Sequence, residues 1–152
     1  TVTANGGGNG IGVGGGGGRV AIRTTGLMTV PEANLFAVGG SGQYGDYRAG
    51  DGTIFLKGVA DTLGRLVLDA HGGNPSSDRT SLPSGYAFDS MVLRNNARLL
   101  ADAGLTVTGN LLATGNSSAT HTAGNFFGLQ IQAGSVQVDA GSSIDGTGRG
   151  YL

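Results

Sequence analysis

The chain contains no cysteine and no tryptophan, and lysine and glutamate occur once each, as Lys57 and Glu32. The absence of cysteine excludes disulfides, iron–sulfur clusters and thiol catalysis, and it is compatible with secretion from a bacterium. Charged residues make up 12% of the chain, about half of their usual share, and the formal net charge is −1. This balance excludes a strongly basic surface for nucleic acid or anionic lipid. No apolar run approaches the roughly 18 residues that a membrane-spanning helix needs.

Glycine, by contrast, is abundant, with 32 of 152 residues, about three times its usual share. Hydrophobic residues make up 38% of the chain, so there is enough apolar material for a core. The low net charge also argues against an expanded, disordered chain. We therefore expect a single module over residues 1–152, with a glycine-rich part at 1–58 and a more regular part at 63–152.

Short stretches of alternating or β-branched apolar residues recur along the chain, each bounded by Gly, Asn, Asp or Ser. They lie at 20–24, 53–57, 66–70, 91–93, 105–108, 129–132 and 135–139. No segment has the spacing of apolar residues that an amphipathic helix requires. The sequence therefore predicts an all-β fold with very short strands.

Two sets of apolar residues in the second half of the chain recur at an offset of 19. One set is Leu93, Leu112 and Ile131, and the other is Leu100, Ala119 and Val138. A period near 20 is typical of a β-solenoid, in which each coil buries its inward residues against the neighbouring coils. We therefore expect a parallel β-helix with Leu93, Leu112 and Ile131 stacked on one inward face. An antiparallel β-sandwich is the alternative.

The densest glycine block, GGGNGIGVGGGGG at residues 6–18, allows three interpretations. A phosphate-binding loop is disfavoured because the block leads into the strand-like RVAIRTT, whereas that loop needs a helix after it. A flexible linker would be expected to carry polar residues and to separate two domains. Ordered close packing, in which backbones approach where no Cβ stands, is favoured. We expect the block to pack against residues 39–52, with Ile11 and Val13 buried.

Three phrases carry a resemblance to known proteins: GGGGGRVAIRT, AVGGSGQYGDYRAGDGTIFLKG and SSIDGTGRGYL. They resemble modules of very large, glycine-rich bacterial surface or secreted repeat proteins, which are similar to parallel β-helix adhesins. The resemblance covers roughly residues 6–58 and 142–152, and it departs in order, because the SSIDGTGRGYL phrase comes last here. It implies architecture and an extracellular or cell-surface location, and it implies no reaction.

Residues suited to catalysis or metal binding are sparse. The acidic residues are spread thinly, without the clustered carboxylates of polysaccharide-cleaving β-helices, so we expect no enzyme activity and no catalytic residues. We also expect no cofactor, although Asp46 and Asp51 could hold one calcium ion together with nearby carbonyls. Tyr44 stands where a calcium-binding nonapeptide repeat has aspartate. His71 and His121 are expected to be exposed turn residues and not metal ligands.

The sequence thus predicts a structural or adhesive extracellular module that builds an elongated surface or fibre without catalysis. A carbohydrate-binding or polysaccharide-cleaving β-helix is the alternative. The expected partners are neighbouring repeats or further copies, joined end to end, and surface carbohydrate is a further candidate. Neither end of the chain resembles a polar cap, because residues 1–4 alternate like a strand and apolar Ile144, Tyr151 and Leu152 lie at the other end.

Overall fold

The computed structural model describes residues 1–8, 12, 14–42, 48–73 and 78–150. Within these ranges the chain forms β-strands and one 3₁₀ turn at Glu32–Asn34, without any α-helix. The predicted all-β class is therefore confirmed. Each of the seven predicted stretches overlaps a strand, because alternating β-branched and apolar residues suit a pleated, half-buried surface.

Thirteen strands follow one another along the described chain. They are β1 (Val2–Thr3), β2 (Arg19–Arg23), β3 (Leu35–Phe36), β4 (Thr53–Lys57), β5 (Arg65–Asp69), β6 (Thr80–Ser81), β7 (Ala87–Phe88), β8 (Ser90–Arg94), β9 (Arg98–Leu100), β10 (Leu105–Ala113), β11 (Ser118–Thr120), β12 (Ile131–Val138) and β13 (Ser143–Ile144).

Most strands belong to two sheets. The first sheet has the spatial order β12-β10-β8-β5-β4-β2, with β7 also paired to β10, and the second has the order β13-β11-β9-β6. From β8 to β13 the chain alternates between the two sheets, so each strand pairs in parallel with the strand two elements on. The antiparallel pairings among the described residues are β4 with β5 and an isolated bridge between Ser41 and Arg48. This largely parallel pairing disagrees with the antiparallel alternative.

Corresponding residues recur along both sheets at variable offsets. Successive partners in the first sheet are Leu66, Met91, Leu111 and Val136. Successive partners in the second sheet are Thr80, Leu99, Ala119 and Ile144. The chain therefore returns to an equivalent position after 19 to 25 residues.

The predicted 19-residue register is wrong. Leu93 pairs with Ala113. Leu112, the residue before Ala113 in β10, pairs with Val92 and points to the opposite face of the sheet. Leu112 lies between the buried Leu111 and Ala113, and it is only partly buried itself. Ile131 pairs with none of these residues and lies beside Leu105. A shift of one residue moves a side chain to the other face of a sheet, so equal spacing in sequence does not ensure stacking.

The second predicted set is also out of register. Ala119 pairs with Leu99 in the second sheet, and Leu100 is displaced from it by one position. Val138 belongs to the first sheet, beside Ala113. The physical reason is that the connections differ in length: the segment between β11 and β12 spans 121–130, and the pairing of β10 with β12 shifts between Val107 and Asn110.

The buried apolar side chains form two clusters on opposite faces of the first sheet. The larger cluster consists of Leu66, Leu68, Phe88, Met91, Leu93, Ala97, Leu99, Ala101, Leu105, Val107, Leu111, Ala113 and Ala119. The smaller cluster consists of Val20, Leu35, Ala37, Ile54, Leu56 and Val67. Alternation along β5 sends Leu66 and Leu68 to one cluster and Val67 to the other. Burial on both faces makes β5 central to the fold.

Four glycine-rich segments, at 4–8, 14–18, 37–41 and 48–52, are joined by backbone hydrogen bonds. The N–H of Gly15 donates to Gly7 O at 2.9 Å, and the N–H of Gly40 donates to Gly15 O at 2.8 Å. The N–H of Gly17 donates to Gly50 O at 2.9 Å. The prediction that the block at 6–18 packs against 39–52 is therefore confirmed for residues 6–8 and 14–18. Ile11 and Val13 lie outside the described residues.

The close approach of these segments requires glycine. A Cβ on Gly6 would lie 2.7 Å from the Gly40 nitrogen, and one on Gly14 would lie 2.7 Å from the Ser41 nitrogen. Both obstructing atoms belong to the backbone, so neither can turn aside as a side chain can. The abundance of glycine in this half of the chain thus reflects packing of backbone against backbone.

Candidate functional site

A groove of about 700 Å³ lies between the glycine-rich segments and the second sheet. We call it the arginine groove, because Arg19, Arg79 and Arg149 all line it. Residues 14–17 and 49–53 form one wall, and residues 78–81 with Leu100 form the other. It brings together arginines that are far apart in the sequence.

Arg79 directly precedes strand β6, which borders the groove. Thr80 is buried, and its hydroxyl donates a short hydrogen bond to the backbone carbonyl of Asp51. Arg79, Thr80 and Ser81 all line the groove. The Thr80–Asp51 bond therefore holds β6 against the glycine-rich segment at 48–52, next to Arg79.

The Arg79 guanidinium has an unusual electrostatic setting. Its Nε is buried and has no hydrogen-bond partner. Burial lowers the pKa of the Arg79 guanidinium, and the positive charges of Arg149 and Arg98 lower it further. Across the part of the chain that the structure describes, no carboxylate forms an ion pair with Arg79, Arg149 or Arg19. The groove therefore gathers three arginines without an ion pair among the described residues, although the charge of Arg149 also interacts with Asp145.

Two acidic residues also line the groove, but one of them is already engaged. An Asp51 oxygen accepts hydrogen bonds from Arg48 at 2.7 Å and from the Gly39 N–H at 3.0 Å. Burial raises the pKa of the Asp51 carboxyl, and these two partners oppose that rise. Asp78 is exposed at the rim, where it makes interactions of its own. The lining thus carries three arginines and two aspartates; Asp51 is paired with Arg48 through Oδ1, and its buried Oδ2 has no hydrogen-bond partner.

A second cavity of about 290 Å³ adjoins the arginine groove. Arg19 and Thr53 line both, so the two form a continuous surface. The second cavity is mainly apolar, with Phe55 and the exposed Tyr86 in its lining. Arg23 reaches into it and lies over the Phe55 ring at 5.1 Å from the centroid. The joined surface is suited to a ligand longer than a single small molecule.

A separate polar cluster surrounds Asp69 at the end of β5. Arg94 contacts Asp69 through Nε at 2.5 Å and Glu32 through Nη1 at 3.0 Å, and Arg65 contacts Glu32 at 2.6 Å. Burial opposes ionisation of Asp69, but hydrogen bonds from Asn95, the His71 N–H and Arg94 outweigh it and lower the pKa of the carboxyl. Because the carboxylates are held by arginines, this cluster ties strands together and presents no reactive group.

The prediction that both histidines are exposed is wrong, although His71 does lie in a turn. His121 is buried, and its Nδ1 lies 2.8 Å from the Thr122 carbonyl oxygen. His71 is half-buried, stacks on Phe36 with the ring centroids 4.2 Å apart, and contacts the Leu35 carbonyl oxygen through Nε2 at 3.0 Å. Local sequence suggested exposed turns because small polar residues flank both histidines, whereas their burial arises from segments distant in sequence.

The calcium possibility rests on Asp46 and Asp51, and Asp46 lies outside the described residues. Asp51 itself is paired with Arg48. Among residues 1–8, 12, 14–42, 48–73 and 78–150, no group of three or more His, Asp or Glu side chains could hold a metal ion. The idea that Asp46 takes part in a calcium site stays a prediction.

The arginine groove was missed from sequence because its arginines are isolated along the chain. Arg79 and Arg98 lie 19 residues apart, the offset at which Thr80 pairs with Leu99, but Arg98 does not line the groove. Arg98 is the first residue of β9 and Arg79 directly precedes β6, so this spacing indicates neighbouring strands and not the groove itself. Arg149 reaches the groove from a turn in which its backbone carbonyl accepts a hydrogen bond from the Gly124 N–H, and no local sequence pattern indicates this contact.

Comparison with known proteins yields no match to a protein-family model, a curated protein or a solved structure. Over the described ranges, no helix is long and apolar enough to cross a membrane. Function is therefore inferred from the groove and the exposed strands of the chain itself.

Proposed function

We propose that the chain is a non-catalytic structural and adhesive module of a bacterial cell-surface or extracellular protein. It is built as a parallel β-helix over residues 1–152, and copies join end to end into an elongated assembly. The parallel pairing of the two sheets supports this architecture, because stacked coils bring equivalent strands together once per turn. The return after 19 to 25 residues corresponds to one coil.

The proposed end-to-end association rests on exposed apolar side chains at inward positions of the last strands. Val136 and Val138 are the partners of the buried Leu111 and Ala113, so they occupy inward positions on the last strand of the first sheet. They are nevertheless 50% and 42% exposed. Ile144 holds the equivalent position beside the buried Ala119 in the second sheet. Because no layer of described residues covers these inward positions, they form an open end of the core.

The backbone at this end is open as well. Strands β12 and β13 are the last in their sheets, and no strand within the described part of the chain pairs with their outer edges. An unpaired edge is a template for another chain, and apolar side chains beside it strengthen the attraction. A backbone hydrogen bond contributes only about 0.5–1.5 kcal/mol net, so burial of the apolar side chains must supply much of the binding.

Sedimentation equilibrium of the purified chain tests this proposal. We expect the mean mass to rise with concentration across the micromolar range, since a contact between different surfaces need not close at a dimer. A chain that stays monomeric at high micromolar concentration would contradict end-to-end association. A mass that stops rising at two copies would replace it with a closed dimer.

A further inference from the structure

The arginine groove has the properties of a binding site for an anion. Arg79 has a buried Nε without a hydrogen-bond partner, and buried donors are almost always satisfied in folded proteins. Arg149 lies in the same lining and repels the Arg79 guanidinium, and a bound anion would relieve this repulsion. A guanidinium presents a planar fork of donors that matches the two oxygens of a carboxylate or sulfate.

We propose that the arginine groove binds the carboxylate or sulfate groups of an acidic polysaccharide, with Arg79 and Arg149 as the cationic contacts. This inference names a ligand class for the adhesive role proposed above and rests on that proposal. It differs from end-to-end association in its surface, because neither Val136 nor Val138 lines the groove.

The rest of the lining favours a sugar over a nucleic acid. Thr53 and Ser81 line the groove, and their hydroxyl groups can exchange hydrogen bonds with sugar hydroxyls, whereas the Thr122 hydroxyl already donates to Asp102. The net charge of −1 is also unlike that of a nucleic-acid-binding domain.

The adjoining cavity favours a polymer over a single sugar. It continues from the arginine groove at Arg19 and Thr53 and leads to Tyr86, whose exposed ring offers an apolar face to a sugar. The glycine wall adds to the fit, because a wall without side chains lets a ligand approach the backbone closely. A chain of several sugars can lie across both cavities and meet Arg79 at one end.

Binding is tested by isothermal titration calorimetry with size-fractionated oligogalacturonate, dextran sulfate, neutral dextran and a single-stranded oligonucleotide. Oligogalacturonate carries only carboxylates and dextran sulfate carries only sulfates, so the two arms identify the anion. We expect binding of one or both, weakening as salt is added, and none of neutral dextran. Equal binding of neutral dextran, tighter binding of the oligonucleotide, or no binding of either acidic polymer would overturn the proposal.

Two variants locate the site. Arg79→Gln and Arg149→Gln should each weaken binding about tenfold or more, the loss expected for a hydrogen-bonded charge contact. Arg98→Gln removes the same charge from a residue that lies near Arg79 but outside the lining, and it should change affinity less than about threefold. Equal losses in all three variants would mean that general attraction, and not this groove, holds the polymer. Circular dichroism confirms that each variant is folded.

End-to-end association and polymer binding in the arginine groove can be tested independently of each other. Sedimentation of the same samples reports self-association, and titration of Val136→Lys reports binding with the open end altered. If Val136→Lys binds the acidic polymer as the parent chain does, the groove acts independently of association. Loss of binding in Val136→Lys with the chain still folded would place the ligand at the open end and overturn the groove assignment.

Discussion

Val136 lies beside Leu111 in the parallel register of the first sheet, yet Leu111 is 1% exposed and Val136 is 50% exposed. The two residues occupy the same position on successive strands of this sheet. Leu111 has β8 on one side and β12 on the other, whereas the far edge of β12 has no strand among the described residues. This contrast is the basis of the first prediction.

Val136→Lys should abolish the concentration-dependent rise in mass, because a charge at an inward position of an open end cannot be covered by another copy without losing its hydration. The matched control is Val59→Lys, which alters an exposed valine in a turn away from β12 and should leave association unchanged. Analytical ultracentrifugation of both variants makes the comparison. Association that persists in Val136→Lys would mean that copies meet through another surface.

Leucines 93 and 112 provide a test of the strand register. Leu93→Ala should lower the free energy of unfolding by about 2–5 kcal/mol, since Leu93 is fully buried in the larger core cluster. Leu112→Ala should cost roughly 1 kcal/mol, because Leu112 is only partly buried and points to the other face. Urea denaturation measures both. Equal losses would favour the 19-residue register that the sequence suggested.

Gly14→Ala should destabilise the chain by about 1–3 kcal/mol, because its Cβ would lie 2.7 Å from a backbone nitrogen of Ser41. Gly7→Ala is the control, since a Cβ there meets nothing within 4 Å. The control should be neutral or should stabilise by up to about 1 kcal/mol through loss of unfolded-state entropy. Thermal denaturation of both variants distinguishes ordered packing from a flexible linker, in which the two substitutions would behave alike.

Asp69→Asn should destabilise the chain by roughly 2–4 kcal/mol at neutral pH, because it removes a buried charge partner of Arg94. Since the pKa of Asp69 is lowered in the folded state, its contribution is present above the unfolded value of about 3.9. That contribution is lost as the pH falls through the folded pKa. The stability difference between parent and variant should therefore shrink below about pH 4, as measured by urea denaturation across a pH series.

The contribution of Asp51 to stability should depend on pH in the opposite direction. Its pKa is raised by burial, so the folded state holds the proton more tightly than the unfolded chain does. The stability that this group contributes is greatest below the unfolded pKa and is lost as the pH rises through the folded value. The difference between the parent and Asp51→Asn should thus decrease with rising pH. If the stability contributions of Asp69 and Asp51 changed with pH in the same direction, the environments described for the two carboxyl groups would be contradicted.

Most of the candidate site could not be predicted from the sequence, because it depends on long-range contacts, as the strand register does. Arg79, Arg149 and the glycine segments lie far apart in the sequence, and they meet only through turns and long-range hydrogen bonds. The burial of His121 depends in the same way on contacts made elsewhere in the fold. Its neighbours in sequence are small and polar, as those of an exposed residue would be.

The sequence by itself determined the all-β class, the places of the main strands and the close packing of the glycine segments. Each of these depends on local chemistry: alternation selects extended backbone, and the absence of a Cβ permits backbones to touch. Only the tertiary structure decided that Leu93 lies beside Ala113 and not on the face of Leu112. Register depends on the length and path of each connection, and a one-residue difference reverses the face of every side chain that follows.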